Sequence, residues 1–593
     1  MNDMRSGSVR VSVRRLCLSM VASGVVCSSV LAAQPASVAA PLASLSPVTN
    51  EMLLNPPAAD WLMWRRTYNA WGYSPLEQIS TKNVKNLQLA WSWALTPGAT
   101  EITPIVHDGV LFIYNNGDKV QALNATNGEL LWQYQRDTPP EQINGNNLAK
   151  RNMAILGDRL IVATSDVHLI ALDVKTGKVA WDQKVEDYTK GWRYTGGPLV
   201  AGNVIIQGMT GCGNAVPGGC FVSGHDSTSG KELWRFYTVA RPGEPGGDTW
   251  NGLPLEQRFG SSTWNSGSYD PETNTLFLGT GQPYPHIAEI SGLLPQKPGQ
   301  KNDALYTDST LALDPKTGKL KWYFQHLPND TWDVDYAYER ILVDLPVDGK
   351  MRKALVTVGK LGIIEALDRV TGEWLWSKET VYQNVVSAID PKTGAKTINQ
   401  ASVPHIGMTA TNCPADPGSR GWPATAYSPR TRMLYLPLNE YCSDTTPVPI
   451  EAGKTYTGGS RAIFARKQIP NSDGQIGRVD GVELFTQKAG WSLRTRAPQT
   501  GAVLATGGGL VFSGALDRYF RAHDDKTGKV LWQTRTSNII NSFPITYSVN
   551  GKQYVAVSVG NGSSHARSLA TLTPEIVNPD GGSALFVYAL PDR

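Results

Sequence analysis

Local motifs for metals, nucleotides and haem are scarce in this sequence. It has only 6 cysteines and 8 histidines among 593 residues. It contains no His-Glu-x-x-His, no phosphate-binding loop, and no Gly-x-Gly-x-x-Gly between a strand and a helix. Cys-x-x-Cys-His is also missing, which excludes covalently attached haem in this chain. The familiar hydrolase and nucleotide-binding signatures are therefore absent, and less local features must indicate the function.

Long apolar runs are also missing after the N-terminal region. Four arginines precede an apolar stretch over residues 16–33 that ends in small residues, the layout of a secretory signal peptide. We predict a signal peptide over residues 1–33, with cleavage as late as about residue 40, and a periplasmic location. No later stretch is long and apolar enough to span a bilayer. Removing residues 1–33 takes away four Arg and one Asp, which lowers the formal net charge from +4 to +1 and leaves no electrostatic basis for binding nucleic acid.

One peptide motif recurs along the rest of the chain. Residues 171–181 read Ala-Leu-Asp-Val-Lys-Thr-Gly-Lys-Val-Ala-Trp. The motif recurs over residues 312–322 and 366–376, and more loosely over residues 122–132, 224–234 and 522–532. In each copy the Asp or Asn can bond its own backbone around a tight turn, the Gly supplies a positive φ, and the Trp is a large apolar plug. Repetition of this kind predicts units that bury their faces only by stacking together. Eight tryptophans lie at such intervals: Trp91, Trp132, Trp181, Trp234, Trp322, Trp376, Trp491 and Trp532.

The segments between the motifs favour an all-β fold. Short β-branched runs such as residues 110–114 and 554–558 are separated by Gly, Asn and Asp, and helical periodicity is hard to find after the first thirty or so residues. We predict one domain over residues 41–593, a single eight-bladed β-propeller of four-stranded sheets. Residues 587–591 look like the first half of the motif that Trp91 lacks, so we expect the N- and C-terminal strands to close the ring. A solenoid or two separate sandwiches are the alternatives.

Four cysteines remain after the predicted signal peptide. In an oxidising compartment an even number suggests two disulfides. We predict a bond between Cys212 and Cys220 that staples one insertion, and a bond between Cys413 and Cys442 that ties two neighbouring strands or loops. A metal site is the alternative, although no Cys-x-x-Cys pair or clustered His accompanies these residues.

The acidic segment at residues 328–335, Pro-Asn-Asp-Thr-Trp-Asp-Val-Asp, stands out as a candidate site. In an extended chain, positions two apart face the same side, so Asp333 and Asp335 are expected to converge while Val334 packs away. Two carboxylates directed at one point can bind a hard cation such as calcium, or supply a base beside it. The alternative is a solvated acidic turn.

Over nearly its whole mature length the sequence resembles the pyrroloquinoline quinone (PQQ)-dependent alcohol dehydrogenases. Asp60-Trp61, residues 73–75, residues 87–91 and each tryptophan repeat fit that family. Within the family it most resembles the sorbose/sorbosone dehydrogenase group and its trichothecene-oxidising relatives. That closer match is carried by residues 47–57, 219–226, 506–509 and 517–521. The resemblance implies an eight-bladed propeller that oxidises a hydroxyl group with PQQ as cofactor.

The resemblance also implies roles for individual residues. Asp333 occupies the position of the catalytic base beside the metal, and Trp264 matches the tryptophan that stacks on the flat quinone. Lys360 matches a basic residue at the reactive oxygens of the quinone, with a role in both catalysis and cofactor binding. The other residues matched to the cofactor pocket are Glu101, Arg151, Thr195 and Asn439. Basic partners suit a cofactor that carries three carboxylates.

The sequence departs from the family pattern at three points. Gly145-Asn146 stands where many members have adjacent cysteines against the cofactor. The usual metal-binding Glu falls at or near Cys212, and the usual metal-binding Asn is replaced by Gln282. Asp335 occupies the position of an extra carboxylate in lanthanide-dependent members, and here it can compensate for the missing Glu. We predict calcium at Gln282, Asp333 and Asp335, with a lanthanide as the alternative.

The predicted reaction is oxidation of a bulky polyhydroxylated or secondary alcohol, such as a sugar or a trichothecene. Asp333 would take the hydroxyl proton while hydride passes to the quinone, and Lys360 would stabilise charge on the quinone oxygens. Residues 284–286, residues 422–423 and Tyr441 would form the walls for the alcohol, with ordinary packing of these aromatic residues as the alternative. Without a haem motif, electrons would leave through a separate soluble carrier such as cytochrome c.

Two other classes of protein fit parts of this pattern. A non-catalytic propeller of the outer-membrane assembly type uses similar tryptophan-docked blades as a binding scaffold. A carboxylate-based hydrolase could use Asp330, Asp333 and Asp335 without a quinone. Dye reduction that requires both PQQ and calcium would distinguish a dehydrogenase from either class.

Overall fold

The computed structural model describes residues 40–139, 149–451, 453–455 and 461–592. The predicted signal peptide and the Gly145-Asn146 position lie outside the described residues. The α-helices in the described ranges are short: α1 (Ala40–Ser44), α2 (Asn50–Leu54), α3 (Ala288–Ser291) and α4 (Ser564–Ala570). None of them is long and apolar enough to cross a membrane.

Most of the described chain forms β-sheets, and the first strands join sheets that the C-terminal part completes. These strands are β1 (Tyr73–Ser74) and β2 (Gln88–Ala94). Three four-stranded sheets then follow the chain in order: β3 (Ile105–His107), β4 (Val110–Asn115), β5 (Lys119–Asn124) and β6 (Leu130–Gln135); β7 (Ala154–Leu156), β8 (Arg159–Ala163), β9 (His168–Asp173) and β10 (Val179–Lys184); β11 (Leu199–Ala201), β12 (Val204–Gly208), β13 (Phe221–Asp226) and β14 (Glu232–Tyr237).

Two further four-stranded sheets precede the insertions. They are β15 (Ser268–Asp270), β16 (Thr275–Gly279), β17 (Ser309–Leu313) and β18 (Leu320–Gln325); and β19 (Ile341–Val347), β20 (Lys350–Val358), β21 (Ile363–Asp368) and β22 (Trp374–Glu379). A hairpin follows, made of β23 (Val386–Ile389) and β24 (Lys396–Ile398). A three-stranded sheet, here called the cap sheet, contains β25 (Ala410–Asn412), β28 (Cys442–Pro447) and β29 (Ala462–Lys467).

The C-terminal part of the chain completes the larger sheets. One sheet contains β26 (Ala426–Ser428), β27 (Met433–Asn439), β30 (Gly477–Glu483) and β31 (Lys488–Thr495). The next contains β32 (Leu504–Thr506), β33 (Leu510–Gly514), β34 (Tyr519–Asp524) and β35 (Val530–Arg535), with β1 added in parallel to β32. The last contains β36 (Ile545–Val549), β37 (Lys552–Val559), β38 (Ala584–Ala589) and β2. Within the described ranges, eight sheets therefore have four or five strands.

The recurring motif forms the predicted turn. Asp173 accepts a hydrogen bond from the backbone N–H of Thr176 (2.9 Å), and Gly177 has a φ of +68°. Trp132 of the preceding sheet packs directly on this turn, because a Cβ atom on Gly177 would lie 2.5 Å from its indole ring. Its indole N–H donates to the carbonyl of Val174 (2.9 Å). Glycine is therefore required both for the backbone conformation and for the approach of the ring.

The same contact joins one sheet to the next. The indole of one sheet lies on the turn glycine of the following sheet in these pairs: Trp91–Gly128, Trp132–Gly177, Trp181–Gly230, Trp234–Gly318, Trp322–Gly372 and Trp491–Gly528. Trp532 donates its indole N–H to the carbonyl of Leu87 (3.0 Å), beside β2. Strand β2 pairs antiparallel with β38, with Trp91 opposite Val587. The fold is all-β and propeller-like.

Both predicted disulfides are present. Cys212 is bonded to Cys220 in the segment between β12 and β13. Cys413, which directly follows β25, is bonded to Cys442, the first residue of β28. The alternative of a metal site at these four cysteines is therefore wrong.

Candidate active site

Seven of the predicted site residues line one cavity of about 350 Å³. They are Arg151, Thr195, Trp264, Gln282, Asp333, Asp335 and Lys360. A larger cavity of about 480 Å³ has none of them in its described lining. The smaller cavity has the size and the mixed aromatic and charged walls of a small-molecule site.

Asp333 lies on a tight turn that Asp330 organises. The Asp330 carboxylate accepts hydrogen bonds from the backbone N–H groups of Trp332 (2.8 Å) and Val334 (2.7 Å). Asp333 has a φ of +63°, so the prediction of an extended segment is wrong at this residue. The physical reason is that an Asp side chain can bond the backbone that follows it, which competes with strand formation.

Lys360, which follows β20, places its ammonium group among three carboxylates. Its Nζ atom is 2.6 Å from Asp333 Oδ1, 3.1 Å from Asp335 Oδ2 and 3.6 Å from Asp416 Oδ1. Burial alone would lower the pKa of Lys360, but Asp333 and Asp335 raise it well above its usual value. The two predicted carboxylates thus converge, and a fixed positive charge lies between them.

Arg151 forms a second charged part of the wall. Its guanidinium carbon lies 4.8 Å from the ring centroid of Trp264 and 5.9 Å from that of Trp422. Its Nη2 group donates to Glu101 Oε2 (2.6 Å), and the hydroxyl of Ser563 donates to Glu101 Oε1 (2.7 Å). Burial lowers the pKa of Arg151, while Glu101 opposes that shift. Glu101 therefore holds Arg151 and does not itself line the described cavity.

Trp264 presents an aromatic surface whose orientation is set by its neighbours. The ring of Tyr338 meets it edge-on, with centroids 5.4 Å apart and an interplanar angle of 86°. Its backbone carbonyl accepts hydrogen bonds from Arg151 (3.2 Å) and from the hydroxyl of Thr195 (3.4 Å). Two predicted residues, Arg151 and Thr195, therefore contact a third, Trp264, directly at this wall.

Two predicted residues differ in how they relate to the cavity. Gln282 lines it, and its backbone N–H donates to Asp335 Oδ1 (3.3 Å). Asn439 is absent from the described lining, because its amide is engaged elsewhere. The Asn439 side chain donates to the carbonyl of Gln499 (3.1 Å) and accepts from its N–H (2.8 Å). Cys212 is held in its disulfide with Cys220 and offers no carboxylate.

Of the residues predicted to form the walls for the alcohol, some line the cavity and others do not. Tyr284 and Trp422 line the cavity. His286 instead stacks on Phe464, with centroids 6.2 Å apart. Tyr441 donates its hydroxyl to the carbonyl of Ala415 (2.5 Å), so it supports the loop that carries the third carboxylate.

Sequence reasoning missed several residues of the site. Asp416 contacts Lys360 from a loop of the cap sheet, Tyr338 holds Trp264, and His565 of α4 lines the cavity. Burial lowers the pKa of His565 to about 3, which keeps its imidazole neutral at ordinary pH. Tyr338 lies only three residues after Asp335 and was therefore within reach of the motif, whereas Asp416 and His565 carry no local signal.

Two further acidic groups, Asp308 and Asp330, lie close to Asp333 and Asp335 without lining the described cavity. Asp308 is fully buried, and neither of its carboxyl oxygens has a hydrogen-bond partner among the described residues. Burial and the neighbouring Asp330 raise the pKa of Asp308 well above its usual range. Burial and Asp333 raise the pKa of Asp330 to about 7. Asp333, Asp335 and the amide of Gln282, which do line the cavity, have the donor chemistry that binds a hard cation.

Known proteins resemble the chain over most of its length. The family model described as "PQQ: Glucose/ethanol/alcohol dehydrogenase, beta-propeller domain" matches residues 61–386 and 387–555.

Quinoprotein ethanol dehydrogenase of Pseudomonas putida is 32% identical over 622 residues, which covers 97% of each chain. Quinohemoprotein alcohol dehydrogenase ADH IIB of Pseudomonas putida is 33% identical over 581 residues and is covered over 81% of its length by 94% of this chain. A solved structure of a europium-containing methanol dehydrogenase superimposes with a TM-score of 0.82 at 28% identity, covering 91% of this chain and 100% of that one. The chain therefore belongs to the family of PQQ-dependent alcohol dehydrogenases, which are oxidoreductases.

Proposed function

We propose that this protein is a PQQ- and cation-dependent dehydrogenase that oxidises a hydroxyl of a bulky polyhydroxylated or secondary alcohol to a carbonyl. A ketose sugar or a trichothecene such as deoxynivalenol is the expected type of substrate. One observation carries the proposal. Lys360 lies 2.6 Å from Asp333 and 3.1 Å from Asp335 in a cavity that Trp264 and Arg151 also line.

The residues of this cavity fit a flat, acidic cofactor beside a cation. Trp264 offers an indole face for stacking, and Arg151 and Lys360 offer positive charge for carboxylates. We assign Thr195 to the same pocket, with Glu101 acting through Arg151 and Asn439 as a more distant support. When bound, the quinone supplies a hydride acceptor and the cation supplies a Lewis acid.

The proposed cation ligands are Gln282, Asp333 and Asp335. Their carboxylate and amide oxygens suit calcium, and the missing Glu near Cys212 leaves Asp335 as the compensating acid. A lanthanide is the alternative, which the similarity to a europium-containing enzyme favours.

The chain's own groups account for the proton transfer. Asp333 is assigned as the base that accepts the proton of the substrate hydroxyl at a carboxylate oxygen. The ammonium of Lys360 donates to both Asp333 Oδ1 and the Asp333 carbonyl (2.9 Å), and these two bonds orient the carboxylate. Trp422 and Tyr338 are almost fully buried, so they help to exclude water from the reacting groups.

The proposal extends to the whole molecule. One domain over residues 41–593 would be a closed ring in which the eight larger sheets are the blades. The pairing of β2 with β38 and the contact of Trp532 with Leu87 support closure. Residues 1–33 would direct export to the periplasm, and electrons would pass to a separate soluble carrier such as cytochrome c.

A reconstitution experiment tests the proposal. Apoprotein is incubated with PQQ, with calcium or lanthanum, with both or with neither, and dye reduction is followed with sorbose, deoxynivalenol and methanol. We expect activity only with both additions, and higher activity on the sugar or the trichothecene than on methanol. A cation-loaded protein without affinity for PQQ would contradict the assigned cofactor. That result is expected if the protein is a non-catalytic scaffold. Equal or better activity on methanol would contradict the assigned substrate class.

A further inference from the structure

The third carboxylate of the cavity comes from outside the eight larger sheets. Asp416 lies on the loop that follows β25 of the cap sheet. Its side chain is 26% exposed, whereas that of Asp333 is 9% exposed and that of Asp335 is 4% exposed. Of these three acids, Asp416 is therefore the most accessible to a molecule that enters the cavity.

The loop that carries Asp416 is held on both sides. The hydroxyl of Tyr441 donates to the carbonyl of Ala415 (2.5 Å) and accepts from the N–H of Gly418 (2.9 Å). The disulfide of Cys413 ties the start of the loop to β28. Arg466 of β29 donates its Nε group to the backbone carbonyl of Asp416 (3.1 Å). The carboxylate is thus held in place before any ligand binds, which reduces the entropy cost of binding.

The carboxylate of Asp416 has unused capacity to accept hydrogen bonds. Its Oδ2 atom accepts one long hydrogen bond from Arg466 Nη2 (3.3 Å), and its Oδ1 atom is 3.6 Å from Lys360 Nζ. An ionised carboxylate offers about four acceptor positions. By contrast, Asp333 Oδ1 receives a short bond of 2.6 Å from the same ammonium. Asp416 is therefore able to accept hydrogen bonds from a further donor.

We propose that Asp416 accepts a hydrogen bond from a second hydroxyl of the substrate, adjacent to the hydroxyl that is oxidised. Asp333 and Asp416 flank one ammonium group, so a ligand whose reacting hydroxyl lies at Asp333 is within reach of Asp416 through a neighbouring hydroxyl. This contact selects vicinal diols and sugars over alcohols with a single hydroxyl. The inference rests on the proposed dehydrogenase function and specifies its substrate class.

The test compares glycerol with isopropanol, which share a three-carbon skeleton with a central hydroxyl. Steady-state kinetics are measured on the PQQ- and calcium-loaded wild type and on Asp416→Asn. A hydrogen bond to a charged group changes binding by about 10- to 100-fold, so kcat/KM for glycerol should fall by that factor, mainly through KM. The value for isopropanol should fall by a clearly smaller factor, since that substrate lacks the second hydroxyl, so the ratio of glycerol to isopropanol activity should fall.

Asp444→Asn is the matched control. Asp444 lies on β28 of the same cap sheet, pairs with Lys467 (2.6 Å) and is absent from the described cavity lining. The same chemical change there should leave both substrates unaffected. Quenching of tryptophan fluorescence by PQQ should give equal cofactor affinity for both variants and the wild type.

The remaining outcomes separate this inference from the proposed function. An unchanged ratio of glycerol to isopropanol activity in Asp416→Asn would overturn the role of Asp416 and leave the dehydrogenase assignment in place. An equal fall for both alcohols would also overturn it, because that result indicates an effect through Lys360 or the fold and not a contact with the second hydroxyl. Failure of the loaded wild type to oxidise any alcohol would overturn the proposed function and this inference together.

Discussion

Two buried groups of charges in this molecule use the same residue types in different ways. The cavity cluster consists of Asp333, Asp335, Lys360 and Asp416. The sealed cluster consists of His326, Glu365 and Lys396, where Glu365 accepts from Lys396 Nζ (2.6 Å) and pairs with His326 Nδ1 (2.8 Å). All three side chains of the sealed cluster are at most 1% exposed, and no described cavity has them in its lining.

The charges balance in the sealed cluster. Burial alone would raise the pKa of Glu365, but Lys396 and His326 lower it to about 2. Burial lowers the pKa of His326 to about 4, so near neutral pH one carboxylate faces one ammonium and a neutral imidazole. Such a group completes its own hydrogen bonds and has no need of a ligand.

The cavity cluster has three carboxyl groups around one ammonium. Unbalanced buried charge is costly unless a partner neutralises it. The difference between the two clusters teaches that burial of charge is not by itself a sign of function. An excess of acidic over basic groups beside an open cavity is the more informative feature, since it indicates what kind of ligand the cavity would bind.

The largest predicted effect is a loss of catalytic turnover when the cavity cluster is altered. Asp333→Asn removes the assigned base and should reduce dye reduction by about 100- to 10,000-fold, while PQQ still binds. The measurement is turnover with saturating PQQ and calcium, together with fluorescence titration of the cofactor. Glu365→Gln is the control, because activity per folded molecule should not change when the sealed cluster is altered. Near-normal turnover of Asp333→Asn would remove Asp333 from its role.

The second prediction concerns stability in the sealed cluster. Glu365→Gln leaves Lys396 buried without its counter-charge and should lower the free energy of unfolding by about 3–5 kcal/mol. Urea unfolding of the cation-free protein gives this value. Asp335→Asn is the comparison in the cavity cluster, and it should cost less because it relieves part of an existing surplus of negative charge. Equal losses of unfolding free energy in both variants would contradict the view that charge is balanced in the sealed cluster and unbalanced in the cavity cluster.

The third prediction is a difference in pH dependence between Asp330, beside the cavity cluster, and His326. The folded-state pKa of Asp330 is about 7, above its ordinary value of 3.8. Its contribution to stability is therefore complete below pH 3.8 and is lost as the pH rises toward 7. The folded-state pKa of His326 is about 4, below its ordinary value of 6.5. Its contribution is complete above pH 6.5 and is lost as the pH falls toward 4.

Variants at these two positions should therefore respond to pH in opposite directions. As the pH rises from about 4 to about 7, Asp330→Asn should gain stability relative to the wild type, whereas His326→Gln should lose it. Urea unfolding of the cation-free proteins across this range measures both differences. Parallel curves for the two variants would contradict the assigned pKa shifts.

The sheet motifs could be predicted because each turn is local. In the copy at Asp173, the acceptor, the N–H of Thr176 and the glycine lie within five consecutive residues, so one stretch of sequence contains all the partners. The same local chemistry was overlooked at Asp330, whose carboxylate bonds the backbone of Trp332 and Val334. The available signal for a turn at this point was Asp330 itself, because an Asp side chain can accept hydrogen bonds from the backbone N–H groups that follow it.

Parts of the site could not be predicted, because their partners are distant in sequence. Asp416 meets Lys360 only through a loop that the disulfide of Cys413 and the hydroxyl of Tyr441 hold in place. Asn439 was matched to the cofactor pocket by its order in the chain. Its amide instead bonds the backbone of Gln499, which no alignment of motifs reveals.

The sequence by itself determined the all-β class, the turn-and-tryptophan units, both disulfide partners and the family of the chain. It did so because these features depend on hydrogen bonds and packing within short stretches, or on residues that repeat in a fixed order. The tertiary structure alone decided which side chains share one cavity and how many carboxylates surround Lys360 there. Net charge at a buried point is a sum over residues from separate sheets and loops, so it exists only once those elements are packed together.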